Sequence, residues 1–108
     1  MDTRKLNTTY DFKFADGSVV QLTLSFYGLY QLRNNHKALY DRYNKIMANS
    51  AKGNFEELDA VAILYTAYVC ANSKNENLMG EEEFVMLCGS DRKAVGNAVQ
   101  ALINAKKA

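Results

Sequence analysis

Residues 60–71 form the longest apolar stretch without a charged side chain, and they constrain the fold more than any other segment. The stretch is shorter than the roughly 20 apolar residues that cross a bilayer, so we expect no membrane span. At helical spacing its apolar side chains point in nearly every direction. One face carries Phe55, Leu58, Ala62, Tyr65 and Val69, and the apolar residues away from its centre are Ile63, Leu64 and Ala67. Such a helix lies at the centre of a fold, or a partner chain covers its second face.

Alternating apolar residues precede and follow Asp16-Gly17, and this pattern predicts a β-hairpin. A two-residue turn would place Phe12 opposite the polar Gln21. A three-residue loop instead pairs Phe12 with Val20 and gathers the apolar side chains on one face. Because burial of one face fixes the register, we predict the three-residue loop, with Gly17 in a left-handed bulge. The predicted inner face carries Tyr10, Phe12, Val20 and Leu22, and the outer face carries Asp11, Lys13, Gln21 and Thr23.

Hydrophobic periodicity and capping residues predict four helices after the hairpin. They are a long helix over residues 26–48 capped by Ser25, the apolar helix capped by Asn54, a short helix over residues 81–87, and a last helix capped by Ser90 or Asp91 that ends near residue 105. The inward stripe of the long helix comprises Leu29, Leu32, His36, Leu39, Tyr43 and Ile46. The predicted fold class is α+β, an N-terminal β-hairpin followed by four mostly antiparallel helices. A single domain spans residues 9–105, after a disordered or extended N-terminal arm at residues 1–8.

The charge balance argues against a nucleic-acid partner. The chain has 13 Lys and Arg residues against 12 Asp and Glu residues, a formal net charge of +1. Nucleic-acid binding depends on a positive footprint that neutralises phosphates, and no such excess is present. The first five residues lead into polar sequence and not into an apolar segment, so we expect no secretory signal and a cytoplasmic location.

Residues able to carry catalysis are scattered along the chain. His36 lies on the inward stripe of the long helix, which is typical of a core or interface histidine that donates one hydrogen bond. Cys70 and Cys88 lie in apolar helical sequence, as buried reduced thiols do. The carboxylates of residues 81–83 splay about 100° apart on a helix, so they do not form a metal site. We therefore predict no enzyme activity, no cofactor and no metal; an enzyme that uses His36 is a remaining alternative.

The last two predicted helices, joined at Gly89-Ser90, leave a second function open. A helix-turn-helix arrangement would direct Arg92, Lys93, Asn97 and Gln100 at a DNA groove. Short helix pairs with a glycine turn are also common packing units, and the acidic run at residues 81–83 would repel phosphate. A small DNA-binding regulator is the alternative function.

Tyrosine spacing points to protein contacts. Six of the seven tyrosines form i, i+3 pairs, which are Tyr27/Tyr30, Tyr40/Tyr43 and Tyr65/Tyr68. Tyr40 and Tyr43 flank the apolar stripe, so we expect them in the core. Tyr27 and Tyr30 lie off the stripe, where they form a protein interface or cover the hairpin. The candidate interface residues are Tyr27, Tyr30, Ile63, Leu64 and Tyr68.

Several segments together resemble one protein family, the tail assembly chaperones of long, non-contractile-tailed phages of Gram-positive bacteria. They are residues 10–14 (YDFKF) with Asp16-Gly17, residues 22–32 (LTLSFYGLYQL), residues 39–46 (LYDRYNKI), residues 57–68 (ELDAVAILYTAY), and Glu82-Glu83-Phe84 followed by Asp91-Arg92. The resemblance spans residues 8–100. It consists of patterned apolar and aromatic residues and includes no catalytic or ligand residues.

The resemblance implies a chaperone that acts in the host cytoplasm and is absent from the mature virion. Its partners would be the tape measure protein, which it binds and keeps soluble, and the tail tube protein, whose polymerisation it promotes mainly through a longer frameshifted form. Many weak contacts along a long client gain from avidity, so a homo-oligomer is expected. Self-assembly would use the hairpin edge or the side of the apolar helix formed by Ile63, Leu64 and Tyr68.

Overall fold

A computed structural model describes residues 9–107, with side chains described through residue 104. The elements are β1 (Tyr10–Lys13), β2 (Val19–Leu22), α1 (Phe26–Asn35), α2 (Lys37–Ala51), α3 (Glu57–Ala71), α4 (Glu81–Cys88) and α5 (Arg92–Lys107). The chain is therefore a small α+β fold, a two-stranded antiparallel hairpin followed by five helices. The predicted arm at residues 1–8 lies outside the described residues. No helix within residues 9–107 combines the length and apolar content that a bilayer crossing requires.

The hairpin has the register predicted from its alternation. Phe12 pairs with Val20, and the Phe14 N–H donates to the Ser18 carbonyl at 2.8 Å, which closes a three-residue loop. Gly17 has φ +93° in that loop, a conformation that an L side chain rarely adopts. The prediction that Thr23 faces outward was wrong. Thr23 is buried because the chain after β2 turns onto α3, where the Thr23 N–H donates to the Ala67 carbonyl at 3.1 Å.

The predicted long helix over residues 26–48 is two helices, so the count is five and not four. The break lies at His36, whose φ and ψ are −142° and 60°. Its N–H still donates to the Leu32 carbonyl at 2.7 Å and ends α1, while its own carbonyl accepts the Tyr40 N–H at 3.0 Å and starts α2. The turn lets α1 and α2 both pack against α3. Asn34, Asn35 and His36 are weak helix formers, so the bend occurs where helix propensity is low.

α3 is the central helix of the fold. It contacts β2 and all four other helices, and nine of its residues are buried. The chain therefore covers both faces of this apolar helix by itself. Its start differs from the prediction, because Asn54 does not cap it. Glu56 is the N-cap, and its N–H donates to the Asp59 carboxylate at 3.0 Å in a capping box.

An aromatic cluster joins the hairpin to α3 and α4. Phe84 lies at its centre, with ring centroids at 5.2 Å from Phe14 and 5.5 Å from both Tyr65 and Tyr68. The hydroxyl groups of both tyrosines form hydrogen bonds with the backbone of one residue, Met79. The Tyr65 hydroxyl donates to the Met79 carbonyl at 3.0 Å, and the Tyr68 hydroxyl accepts the Met79 N–H at 2.9 Å. Tyr65 and Tyr68 are thus components of the core.

Candidate protein-binding surfaces

Large apolar side chains remain exposed outside the core. Their exposed fractions are 82% for Phe26, 53% for Tyr27, 52% for Tyr30, 42% for Phe55, 69% for Leu58, 57% for Val19 and 73% for Met86. The first three belong to the start of α1, and Phe55 and Leu58 lie at the start of α3. Single exposed apolar residues are ordinary on protein surfaces, whereas adjacent ones are typical of binding sites. These two groups are therefore the candidate surfaces.

The aromatic α1 surface is formed by Phe26, Tyr27 and Tyr30. It exists because the opposite side of α1 is pressed onto α3 through Gly28. A Cβ placed on Gly28 would lie 2.9 Å from the Cys70 Cβ of α3, closer than real Cβ atoms approach. With Gly28 facing the core, the neighbouring aromatic residues project from α1 into solvent.

Polar contacts hold two of these rings in place. The Tyr27 hydroxyl accepts a hydrogen bond from the Gln31 side-chain amide at 2.9 Å. The Arg33 guanidinium lies 5.7 Å from the Tyr30 ring centroid, within the range of a cation–π contact. Beside these rings, a shallow depression of about 290 Å³ lies between α1 and α2, and Phe26, Tyr30 and Arg33 form part of its lining. The aromatic α1 surface therefore combines apolar area, one hydrogen-bonded hydroxyl and a positive charge.

Of the residues predicted as an interface, only Tyr27 and Tyr30 are on the surface. Both are more than half exposed. Ile63, Leu64 and Tyr68 are buried in the core of the same chain, with exposed fractions of 1%, 0% and 6%. The side of α3 that carries Ile63, Leu64 and Tyr68 was expected to be exposed to a partner, but β2 and the other helices cover it.

The α3–α5 groove lies between the start of α3 and the α4–α5 pair. Its apolar lining comprises Phe55, Leu58, Ala60, Val61, Val85 and Val95. The cavity volume is about 500 Å³, within the roughly 300–1,000 Å³ range of binding pockets. Phe55 and Leu58 were predicted to share one face of the apolar helix with Ala62, Tyr65 and Val69, and the structure exposes these two. The neighbouring Glu56 and Glu57 were the sequence signal that this end of the helix meets solvent.

The rim of the α3–α5 groove is acidic. Glu56, Glu57 and Asp91 line it together with one cation, Arg92. The Arg92 guanidinium donates to the Glu57 carboxylate, which links α3 to α5 across the groove. The Asp91 carboxylate also accepts the Ala94 N–H at 3.0 Å and caps α5, as predicted. Both members of the Arg92–Glu57 pair are mostly exposed, so the link is weak and can open.

The residues considered for catalysis lie apart from one another. His36 was predicted to lie in the core or at an interface; it is exposed at the α1–α2 junction, so the core alternative was wrong. Cys70 and Cys88 are buried, as predicted, and burial raises the pKa of their thiols to about 12 and about 11. A thiol is nucleophilic as the thiolate, which these sites disfavour. Within residues 9–107 no three His, Cys, Asp or Glu side chains are grouped as metal ligands.

Among the side chains described through residue 104, those of the α4–α5 pair carry both charges and form no basic surface. Arg92, one of the residues predicted to face DNA, is bonded to Glu57 instead. Glu82 and Glu83 are exposed on α4, while Glu81 accepts two hydrogen bonds from Arg42 of α2 at 2.8 and 2.5 Å. The bonds from Arg42 hold the pKa of Glu81 below its usual value, so it is charged at neutral pH. Lys93, Asn97 and Gln100 remain exposed.

Comparisons with protein-family models, with curated proteins and with solved structures found no match to this chain.

Proposed function

We propose that this chain is a non-enzymatic protein-binding factor, a tail assembly chaperone of a long, non-contractile-tailed phage. In this proposal it binds the tape measure protein and keeps it soluble in the host cytoplasm, and it is absent from the mature virion. It acts as a homo-oligomer and promotes polymerisation of the tail tube protein, mainly through a longer frameshifted form.

The observation that carries the proposal is the aromatic α1 surface on a chain whose core is already complete. Phe26, Tyr27 and Tyr30 are exposed on consecutive turns, and the described part of the chain, residues 9–107, leaves more than half of each side chain uncovered. Burying one large apolar side chain contributes about 1.5–3 kcal/mol, so a client that covers this surface gains substantial free energy. Tyrosine and phenylalanine are enriched in protein interfaces for this reason.

The resemblance supports the choice of client. The aromatic α1 surface lies within residues 22–32, one of the segments that resemble the tail assembly chaperones. A tape measure protein is long, helical and apolar in places, so it needs a partner with exposed apolar surface. A binding function needs no reactive side chain, and burial of Cys70 and Cys88 disfavours their thiolates.

The test is co-expression with the tape measure protein encoded in the same genome. We expect the wild-type chain to co-purify with that protein and to keep it in the soluble fraction. The double variant Phe26→Ser/Tyr30→Ser should lose both effects, whereas Met86→Ser should retain them. Met86 is a matched control because it is 73% exposed and lies on α4, away from α1.

Two results would count against the proposal. One is an insoluble tape measure protein in the presence of the wild-type chain. The other is salt-dependent retention of the chain on DNA, which would favour the regulator. Light scattering at several protein concentrations tests the homo-oligomer separately.

A further inference from the structure

We propose that the α3–α5 groove binds an amphipathic helix whose apolar stripe is flanked by Lys or Arg. The groove is formed by other elements than the aromatic α1 surface. The inference therefore goes beyond the proposed function, and it holds or fails whether or not the client is a tape measure protein.

The lining of the groove selects an apolar occupant. Val95 is 8% exposed at the floor, whereas Phe55 and Leu58 at the lip are 42% and 69% exposed. An occupant that reaches the floor also covers the lip, so it buries apolar area from α3, α4 and α5 together. A cavity of about 500 Å³ accepts several aliphatic side chains from one partner.

The walls of the groove favour a helix over an extended strand. A strand binds by adding its backbone to an exposed sheet edge. α3, α4 and α5 are helices, whose backbone groups are already paired along their length. Contact in this groove is therefore made through side chains, as when the apolar face of a helix lies between the ridges of its neighbours.

The rim determines the charge of the occupant. The rim carries three negative charges, on Glu56, Glu57 and Asp91, and one positive charge, on Arg92. The N-termini of α3 and α5 each add about half a positive charge, which leaves the rim about one charge negative. Basic residues beside the apolar stripe of a partner would complement that charge. A lysine amino group of the partner can also take the place of Arg92 beside Glu57, because the Arg92–Glu57 ion pair is exposed and weak.

The experiment uses two labelled helical peptides of about 18 residues, or five turns. Both carry leucines at spacings i, i+3, i+4 and i+7. Lysines flank the stripe in the first peptide, and glutamates replace them in the second. Fluorescence anisotropy with the full chain at low salt measures binding. We expect the lysine peptide to bind at least about tenfold more tightly than the glutamate peptide.

Two variants then locate the site. Leu58→Ser should weaken binding of the lysine peptide at least about tenfold. Met86→Ser, a change at an exposed apolar position outside the groove lining, should leave it unchanged. The Leu58 side chain is mostly exposed, so Leu58→Ser should keep the helix content and the thermal midpoint of the wild type.

The ion pair across the groove supplies a control for structural effects. Glu57→Gln and Arg92→Gln break the same bond, so any loss of structure should be similar in both variants. Their effects on rim charge are opposite. We expect Glu57→Gln to weaken binding of the lysine peptide about two- to fivefold, and Arg92→Gln to strengthen it by a similar factor.

The proposal is overturned if both glutamine variants shift the affinity in the same direction, if Leu58→Ser has no effect, or if the two peptides bind equally. It is also overturned if Leu58→Ser abolishes self-association and the lysine peptide competes with a second copy of the chain. In that case the occupant of the groove is another copy of this protein.

Discussion

The contact between α1 and α3 at Gly28 makes a quantitative prediction. A Cβ at this position would lie 2.9 Å from the Cys70 Cβ and 3.2 Å from the Ser25 hydroxyl oxygen. Carbon atoms in favourable contact are about 3.5–4.0 Å apart. The Cys70 Cβ is bonded directly to the α3 backbone and cannot rotate away. Gly28→Ala therefore forces the two helices apart.

Two opposing terms set the size of the effect. Forcing an extra carbon into a packed core costs about 1–3 kcal/mol. Replacing glycine by alanine within a helix stabilises the folded state by about 0.5–1 kcal/mol, because alanine has the higher helix propensity. We expect Gly28→Ala to lower the free energy of unfolding by about 1–2 kcal/mol. For a domain of this size, each 1 kcal/mol moves the thermal midpoint by about 4–8 °C.

Gly96 in α5 provides the matched control. A Cβ on Gly96 meets no heavy atom within 4 Å. Gly96→Ala should therefore gain about 0.5–1 kcal/mol from helix propensity alone. The same substitution thus has opposite signs at two helical positions. Urea unfolding followed by circular dichroism measures both variants, provided that the slope with denaturant is unchanged.

A second substitution tests the proposed cause. Cys70→Gly removes the Cβ that Gly28→Ala would overlap, so the cost of Gly28→Ala should disappear in that background. Cys70→Ala keeps the Cβ, and the cost should remain. If Gly28→Ala is as stable as Gly96→Ala, or if both Cys70 backgrounds respond alike, the close approach of α1 to α3 is not what limits residue 28.

Two further predictions concern titrating groups. Because burial raises the thiol pKa to about 12 for Cys70 and about 11 for Cys88, iodoacetamide at about pH 8 should label both thiols in denaturant and neither in the native chain. Thiols of the unfolded chain ionise at lower pH than these folded ones, so the free energy of unfolding should fall as the pH rises above about 9. Fast labelling of the native chain, or a free energy of unfolding that does not change above this pH, would contradict the prediction. Arg42→Gln should cost about 0.5–1 kcal/mol at neutral pH, because the Arg42–Glu81 pair joins α2 to α4 but is partly exposed. Since that pair lowers the pKa of Glu81, its contribution is complete above the unfolded pKa and is lost as the pH falls below it. The difference between wild type and variant in urea unfolding should therefore shrink as the solution is acidified from neutral pH; a difference that stays constant on acidification would refute it.

The two candidate surfaces change where partners are expected on this chain. The sequence suggested that α3 lacks sufficient cover and therefore attracts other chains. The structure shows that α3 is enclosed, with Leu64 fully buried. The groups of neighbouring exposed apolar residues are at the starts of α1 and α3 instead. Binding through such surfaces leaves the core intact, so a protein of this design can be stable before it meets a partner.

Local chemistry was sufficient to predict much of the fold. The alternation around Asp16-Gly17 predicted the hairpin register, and the structure pairs Phe12 with Val20 as expected. Ser25 was predicted to cap the first helix, and Ser90 or Asp91 the last. The side chains of Ser25 and Asp91 accept backbone N–H groups at 3.1 and 3.0 Å. Each of these features depends on residues a few positions apart, so the sequence contains all the information that determines it.

Tertiary packing decided what the local pattern left open. The apolar stripe continues through His36, but the backbone turns there, and α1 and α2 each contact α3. Periodicity gives the direction of Ile63 or Leu58 on the helix, but not which neighbour lies in that direction. Ile63 meets the core and Leu58 meets solvent because of where α5 and β2 lie. Burial depends on contacts between residues distant along the chain, and those distances are set only when the whole fold forms.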